Sequence, residues 1–125
     1  RQTVTIQPHA TSDLTGVGPK TVTTYDVLGR VTLATAPNGA QTAFEYDSLD
    51  RQTAIIAPDA LTGAATGGRT EFTYDSFGNQ ATITDALGRV STTSYDRLNR
   101  KETQVLPDTD SSDTLPGATT EWTYD

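Results

Sequence analysis

Polar and apolar side chains alternate one for one along most of this chain, and nowhere do apolar residues recur at the three-to-four-residue spacing of a helix. Phe44 and Tyr46, Phe72 and Tyr74, and Trp122 and Tyr124 stand two apart, which puts each pair on one face of an extended segment. Thr23 and Thr93 hold the matching place beside Tyr25 and Tyr95. The pattern predicts strands over residues 2–7, 20–25, 30–36, 40–46, 51–57, 69–74, 79–84, 89–95, 100–106 and 119–124. Pro8, Pro37, Pro58 and Pro107 fall at strand ends, where a residue without an N–H interrupts least. The predicted class is all-β.

The strands are organised by a repeat. Tyr-Asp occurs at Tyr25-Asp26, Tyr46-Asp47, Tyr74-Asp75, Tyr95-Asp96 and Tyr124-Asp125, in steps of 21, 28, 21 and 29. Two unequal steps make a larger unit of 49 or 50 residues, echoed by Arg1-Gln2-Thr3, Arg51-Gln52-Thr53 and, loosely, Arg100-Lys101-Glu102-Thr103. Residues 1–125 therefore read as one array of about two and a half units. Beginning at Arg1 without a Met, it reads as an excerpt of a longer chain.

Four of the pairs open the same turn: Asp26-Val27-Leu28-Gly29, Asp47-Ser48-Leu49-Asp50, Asp75-Ser76-Phe77-Gly78 and Asp96-Arg97-Leu98-Asn99. A fifth copy, Asp85-Ala86-Leu87-Gly88, follows Thr84 instead of Tyr. An Asp at the first position accepts backbone N–H groups of its own turn. The fourth position is always Gly, Asp or Asn, the residues that best tolerate positive φ, so Asp50 and Asn99 are expected there alongside the glycines. A type I turn closed by a left-handed residue is a common hairpin connection. The recurring Leu or Phe at the third position suggests that each tip folds over the sheet edge or packs on the next tip.

Hairpins in series make an antiparallel meander whose turns alternate between the two ends of the strands. The four Tyr-Asp turns then share one end. The other end alternates short turns, at Pro37-Asn38-Gly39 and Asp85 to Gly88, with long loops over roughly 8–18, 58–68 and 107–118. Four strands per repeat is also the count of a β-propeller blade, but blade strands occupy unlike positions, whereas both hairpins of each unit carry the same turn.

Composition narrows the function classes. Thr is the commonest residue, 25 of 125, against 34% hydrophobic content and no Met, which suits a pleated, half-buried surface better than a deep core. Without Cys there is no disulfide, thiolate metal site or thiol nucleophile, and the single His9 cannot build a multi-His site. A net charge of −7 argues against nucleic acid or an anionic membrane as partner. No apolar run approaches the roughly 20 residues of a membrane helix.

The repeats Tyr25-Asp26-Val27-Leu28-Gly29-Arg30, Tyr46-Asp47-Ser48-Leu49-Asp50-Arg51, Tyr74-Asp75-Ser76-Phe77-Gly78-Asn79 and Tyr95-Asp96-Arg97-Leu98-Asn99-Arg100 resemble those of the RHS/YD-repeat family over nearly the whole chain. The resemblance implies a long antiparallel sheet, curved and spiralling into a hollow shell. In bacterial members that shell encloses a toxic segment, in insecticidal Tc toxins it forms the cocoon, and in animal teneurins it carries adhesion modules. The plain repeats and lack of Cys look bacterial, which implies a secreted or cell-surface location. The self-cleaving site of toxin-bearing members lies near an Asp-Pro motif; this chain has no Asp-Pro pair, and no cleavage chemistry carries over.

Several residues invite a sharper chemistry. The repeated Asp residues could suggest paired catalytic carboxylates, but equivalent turn positions give like environments, whereas acid/base work needs unlike ones. Turn capping is the better reading. Asp108, Asp110 and Asp113 could gather around Ca²⁺ but lack the Gly and closing Glu of an EF-hand loop, so a solvated loop is preferred. Residues 16–21 faintly resemble a phosphate loop with the wrong spacing, and Pro19 removes an N–H such a loop needs. The aromatic row could stack on sugars, although cross-strand packing is its commoner use. The Arg after each turn, such as Arg30 beside Asp26, is expected to form an exposed pair worth about 0–1 kcal/mol.

The sequence thus reads as a structural scaffold with no catalytic residue and no cofactor. Its expected partners are neighbouring repeats or edge-to-edge copies of itself, an enclosed toxin segment, and, in the alternative, a carbohydrate bound by an adhesin-like module through the long loops or aromatic face.

Overall fold

A computed structural model of the chain describes residues 2–6, 20–107 and 117–125, with side chains from residue 20 onward. The strands are β1 (Gln2–Ile6), β2 (Lys20–Tyr25), β3 (Val31–Thr35), β4 (Gln41–Tyr46), β5 (Gln52–Ile56), β6 (Arg69–Tyr74), β7 (Gln80–Thr84), β8 (Val90–Tyr95), β9 (Lys101–Val105) and β10 (Thr119–Glu121). No helix occurs among the described residues. The chain divides into two compact units, Arg1–Arg69 and Thr70–Asp125.

In the first unit β1 to β5 pair in chain order, every pair antiparallel. In the second, β6 to β10 do the same. Each unit is a run of five strands rather than a four-stranded blade, and the all-β meander of repeated hairpins is the fold observed. All ten expected strands are present with slightly tighter limits, because residues such as Arg30 and Ala36 lend their backbone groups to closing the turns. β10 is shorter than the expected 119–124, though the Trp122 N–H still donates to the Glu102 carbonyl at 3.0 Å.

The registers define two faces in the first unit. One carries the pairs Ala34 with Thr42 and Phe44 with Ile55. The other carries Leu33 with Ala43, Ala43 with Ile56, and Glu45 with Ala54. Ala54 is the one fully buried apolar side chain among the described residues. Its register partner Glu45 is held by Arg69, at the start of β6, through two bonds of 2.8 and 2.7 Å. Phe44, Tyr46, Phe72 and Tyr74 are half-buried. The described residues therefore form no deep core, and their strands are stabilised mainly along the sheet by ladder bonds and cross-strand pairs.

Two of the long loops leave the sheet through tight gates. Ala57 donates to the Gly68 carbonyl and accepts from the Gly67 N–H, both at 2.9 Å. A Cβ on Gly67 would stand 2.5 Å from the Pro58 carbonyl oxygen, so only glycine fits. The second gate joins Leu106 to Ala118 at 2.9 Å, and Gly117 backs onto the Leu106 carbonyl in the same way. In the first loop Asp59 accepts the N–H groups of Leu61 and Thr62, and the Gly63 carbonyl docks on the Gln41 N–H at 2.7 Å.

Candidate functional site: the Tyr-Asp hairpin tips

The Tyr-Asp tips are built alike from backbone outward. In the first, the Asp26 N–H donates to the Arg30 carbonyl at 2.9 Å and the Gly29 N–H to the Asp26 carbonyl at 3.1 Å, closing a three-residue loop. Asp26 Oδ1 accepts the N–H groups of Leu28 and Arg30 at 2.9 and 3.0 Å, and Oδ2 accepts Arg30 Nε at 2.7 Å. Asp47 with Leu49 and Arg51, and Asp96 with Leu98 and Arg100, repeat these bonds. Asp75 does so with Phe77 and Asn79, the Asn79 side-chain amide standing in for a guanidinium. Asp85, Leu87 and Arg89 form the same cap without a preceding Tyr. As expected, φ is positive at Asp50 (63°) and Asn99 (60°), as at Gly29, Gly78 and Gly88.

These bonds favour ionised carboxylates. The Arg30 N–H leads in holding the Asp26 carboxyl below the usual range, and the Arg100 N–H does so at Asp96. At Asp75 the Asn79 side chain leads, and at Asp85 the Arg89 side chain. At Asp47 burial pushes the carboxyl up, but the Arg51 N–H and guanidinium together outweigh it. Five like carboxylates in like environments give no acid/base pair.

The tips that carry Tyr differ from the others by one residue. Between β2 and β3 the register runs Thr24 with Leu33, then Tyr25 with Val31, leaving Thr32 extra. The same shift occurs at Tyr46, Tyr74 and Tyr95, leaving Thr53, Ala81 and Glu102 extra on the outgoing strand. Such a bulge bends its strand and strengthens the local twist. The β3–β4 and β7–β8 hairpins, which turn at the other end, keep their register without a shift.

Within each unit, a Tyr-Asp tip also grips the next. Arg30 Nη1 donates to the Asp47 carbonyl at 3.0 Å and to Asp50 Oδ1 at 2.9 Å, and its guanidinium lies 4.9 Å from the centre of the Tyr46 ring. Asn79 Nδ2 reaches Asn99 Oδ1 at 3.1 Å, and Tyr95 donates its hydroxyl to the Gln80 carbonyl at 3.1 Å. The Arg100 guanidinium lies 4.1 Å from the Tyr124 ring centre, while the Tyr124 hydroxyl donates to the Lys101 carbonyl at 2.8 Å. Asp125 follows, exposed.

Two expectations are corrected. The apolar third residues do not fold over the sheet or pack on the next tip: Leu28 is 68% exposed and Phe77 76%, with Leu49 and Leu98 between them in value. A three-residue loop closed by backbone bonds leaves that position pointing past the last strand residue. Nor is the Arg30–Asp26 pair an exposed one, since the side chains are only 23% and 20% exposed and Arg30 serves three further groups.

The other candidates fare as follows. Asp108, Asp110 and Asp113, His9, and residues 16–19 lie outside the described residues, while Lys20 and Thr21 begin β2. No cluster of three or more metal-ligating side chains occurs among the described residues. In the aromatic row, Tyr46 and Tyr124 already carry a guanidinium on the ring, and Lys101 lies 5.8 Å from the Trp122 ring centre. The gate glycines Gly67 and Gly117 and the bulged residues escaped the sequence reading. The Pro-to-Gly spacing of the loops signals the former; nothing in residue type signals the latter.

A search of curated protein sequences returns no significant match. The RHS Repeat family profile matches residues 25–62, 60–90 and 74–111, three overlapping copies that span most of the chain and contain four of the five Tyr-Asp pairs. With two of the three matches opening on a Tyr-Asp pair, at Tyr25 and Tyr74, the chain belongs to the RHS-repeat family, a structural repeat type.

Proposed function

We propose that this chain is a wall segment of an RHS/YD-repeat shell, a sheet that curves in the complete protein and encloses or presents another part of a large secreted or cell-surface protein, such as a bacterial toxin. The role is structural and involves no catalytic step. One observation carries the reading: within each unit a tip's clamp residue is met by the following tip, as Arg30 is by Tyr46 and Asp50, Asn79 by Asn99, and Arg100 by Tyr124. Stability built this way propagates from neighbour to neighbour, as in other repeat arrays. Bulges confined to the Tyr-bearing end add twist there, which suits a wall that must curve.

The partners in this reading are neighbouring repeats of the same chain or copies joined edge to edge. β10, with Thr119, Thr120 and Glu121, has no Lys, Pro or bulge to block such pairing. The test is to compare the 125-residue chain with a tandem duplication of it by denaturant unfolding and solution scattering. The duplicated array should unfold at higher denaturant, and the single copy should self-associate at micromolar concentration. A single copy that stays a compact monomer, with a midpoint unmoved by added repeats, overturns the proposal.

A further inference from the structure

The two units link their Tyr-Asp tips with different chemistry at equivalent positions. In the first unit the link is ionic. The Arg30 guanidinium is held by the carboxylates of Asp26 and Asp50, by the Asp47 carbonyl and by the Tyr46 ring. In the second unit each member lies 49 residues further on, and Arg30 and Asp50 become Asn79 and Asn99. The link there is a neutral amide bond from Asn79 Nδ2 to Asn99 Oδ1.

The charged groups around each link are few. Facing Arg30 are Asp26 from its own turn and Asp50 from the next, while the Asp47 carboxylate is engaged by Arg51. Facing Asn79 is Asp75 from its own turn, while the Asp96 carboxylate is engaged by Arg100. A proton taken up by Asp26 removes a charge that holds Arg30. The atoms joining Asn79 to Asn99 take up no proton at all.

We propose that the ionic hold on Arg30 is an acid-weakened latch, so that acidification loosens the join between adjacent Tyr-Asp tips in the first unit and leaves the amide join of the second as it was. Salt acts in the same sense, because the Asp50 side chain is 69% exposed and its ion pair is open to screening. The caps themselves weaken in both units as their Asp residues protonate. The link between tips is where the units part company. This inference concerns the joints of the wall and is independent of what the wall encloses.

Double-mutant cycles on the full chain provide the test, with Arg30→Ala and Asp50→Ala in one and Asn79→Ala and Asn99→Ala in the other. At neutral pH the first pair should show a coupling of about two- to fivefold in the folding equilibrium constant. That coupling should fall to about one at about pH 2, below the ordinary range of Asp, or in molar salt. The amide pair's coupling should stay where it was under both changes. Grafting the second link into the first, with Arg30→Asn and Asp50→Asn, should remove the link's share of the pH response and leave that of the caps. If a variant fails to fold, NMR on the unaltered chain gives the same answer. Cross-tip contacts between Arg30 and Asp50 should vanish on acidification while those between Asn79 and Asn99 remain. Couplings that respond equally to acid, or Arg30–Asp50 contacts that persist at low pH, overturn the proposal.

Discussion

The hairpin tip at Asp26–Arg30 and the one at Asp85–Arg89 share every bond of the cap, yet only the first is joined to another tip. In both, the carboxylate accepts two backbone N–H groups and the following guanidinium. In both, a positive-φ glycine closes the loop. The first follows Tyr25, carries a bulge and is nearly four-fifths buried at the ion pair, and its Arg reaches Asp50 and Tyr46. The second follows Thr84, keeps its register, and leaves Arg89 and Asp85 43% and 33% exposed. The Asp-to-Arg cap is thus a general way to close a hairpin. What the Tyr-bearing tips add is the bulge and, at Tyr46 and Tyr124, a ring on which the preceding Arg rests, and these join neighbouring hairpins at their tips.

Acid should produce the largest effect and should not distinguish the two caps. All five capping carboxylates are held below their usual range. Their stabilisation is complete above the unfolded-state value near pH 4 and is lost as pH falls through the lower folded values. Denaturant midpoints should therefore drop steeply below about pH 4, and Asp26→Asn and Asp85→Asn should flatten the slope alike. A slope unchanged by Asp85→Asn would separate the caps.

Replacing the ring should separate the tips themselves. Tyr46→Ala removes a half-buried aromatic side chain and the seat of Arg30, and should destabilise by about 2 kcal/mol in equilibrium unfolding. Thr84→Ala, at the matching place of the unlinked tip, should stay within about 0.5 kcal/mol. Comparable losses at both positions would remove the Tyr from its assigned role.

Backbone strain should again treat the tips alike. Gly29 and Gly88 have φ of 86° and 79°, and a Cβ at either would meet open space, so only conformation opposes a side chain there. Gly29→Val and Gly88→Val should each cost about 1–2 kcal/mol or more. The smallest effect is expected from Arg→Lys. Arg30→Lys forfeits the fork that serves four groups at once and should lower the melting temperature measurably, while Arg89→Lys should leave it within error.

The strands, the meander and the cap were legible in sequence because each rests on local chemistry. Alternation sets the faces, Asp seeks its own turn's N–H groups, and only Gly, Asn and Asp accept the left-handed position. Even Asp50 and Asn99, which are not glycines, were predictable on that ground. The links between tips were not legible, because Arg30 and Asp50 meet only once the register of three strand pairs is fixed. The bulges hid for another reason: Thr32, Thr53, Ala81 and Glu102 share no chemistry, since an extra residue is a matter of count rather than kind. The exposed Leu and Phe of the tips misled because recurrence was taken for burial.

The gates at Gly67 and Gly117 bear on how such an array can change over evolutionary time. Each of these two loops is sealed from its strands by backbone bonds beneath it, so what lies above the gate makes little difference to the sheet below. Doubling a loop's length adds only about 0.6 kcal/mol of closure entropy. Whole segments can then be inserted, lost or exchanged at that end of the strands while the Tyr-Asp end stays fixed by its laced tips. One end of the strands is free to innovate and the other is obliged to conserve.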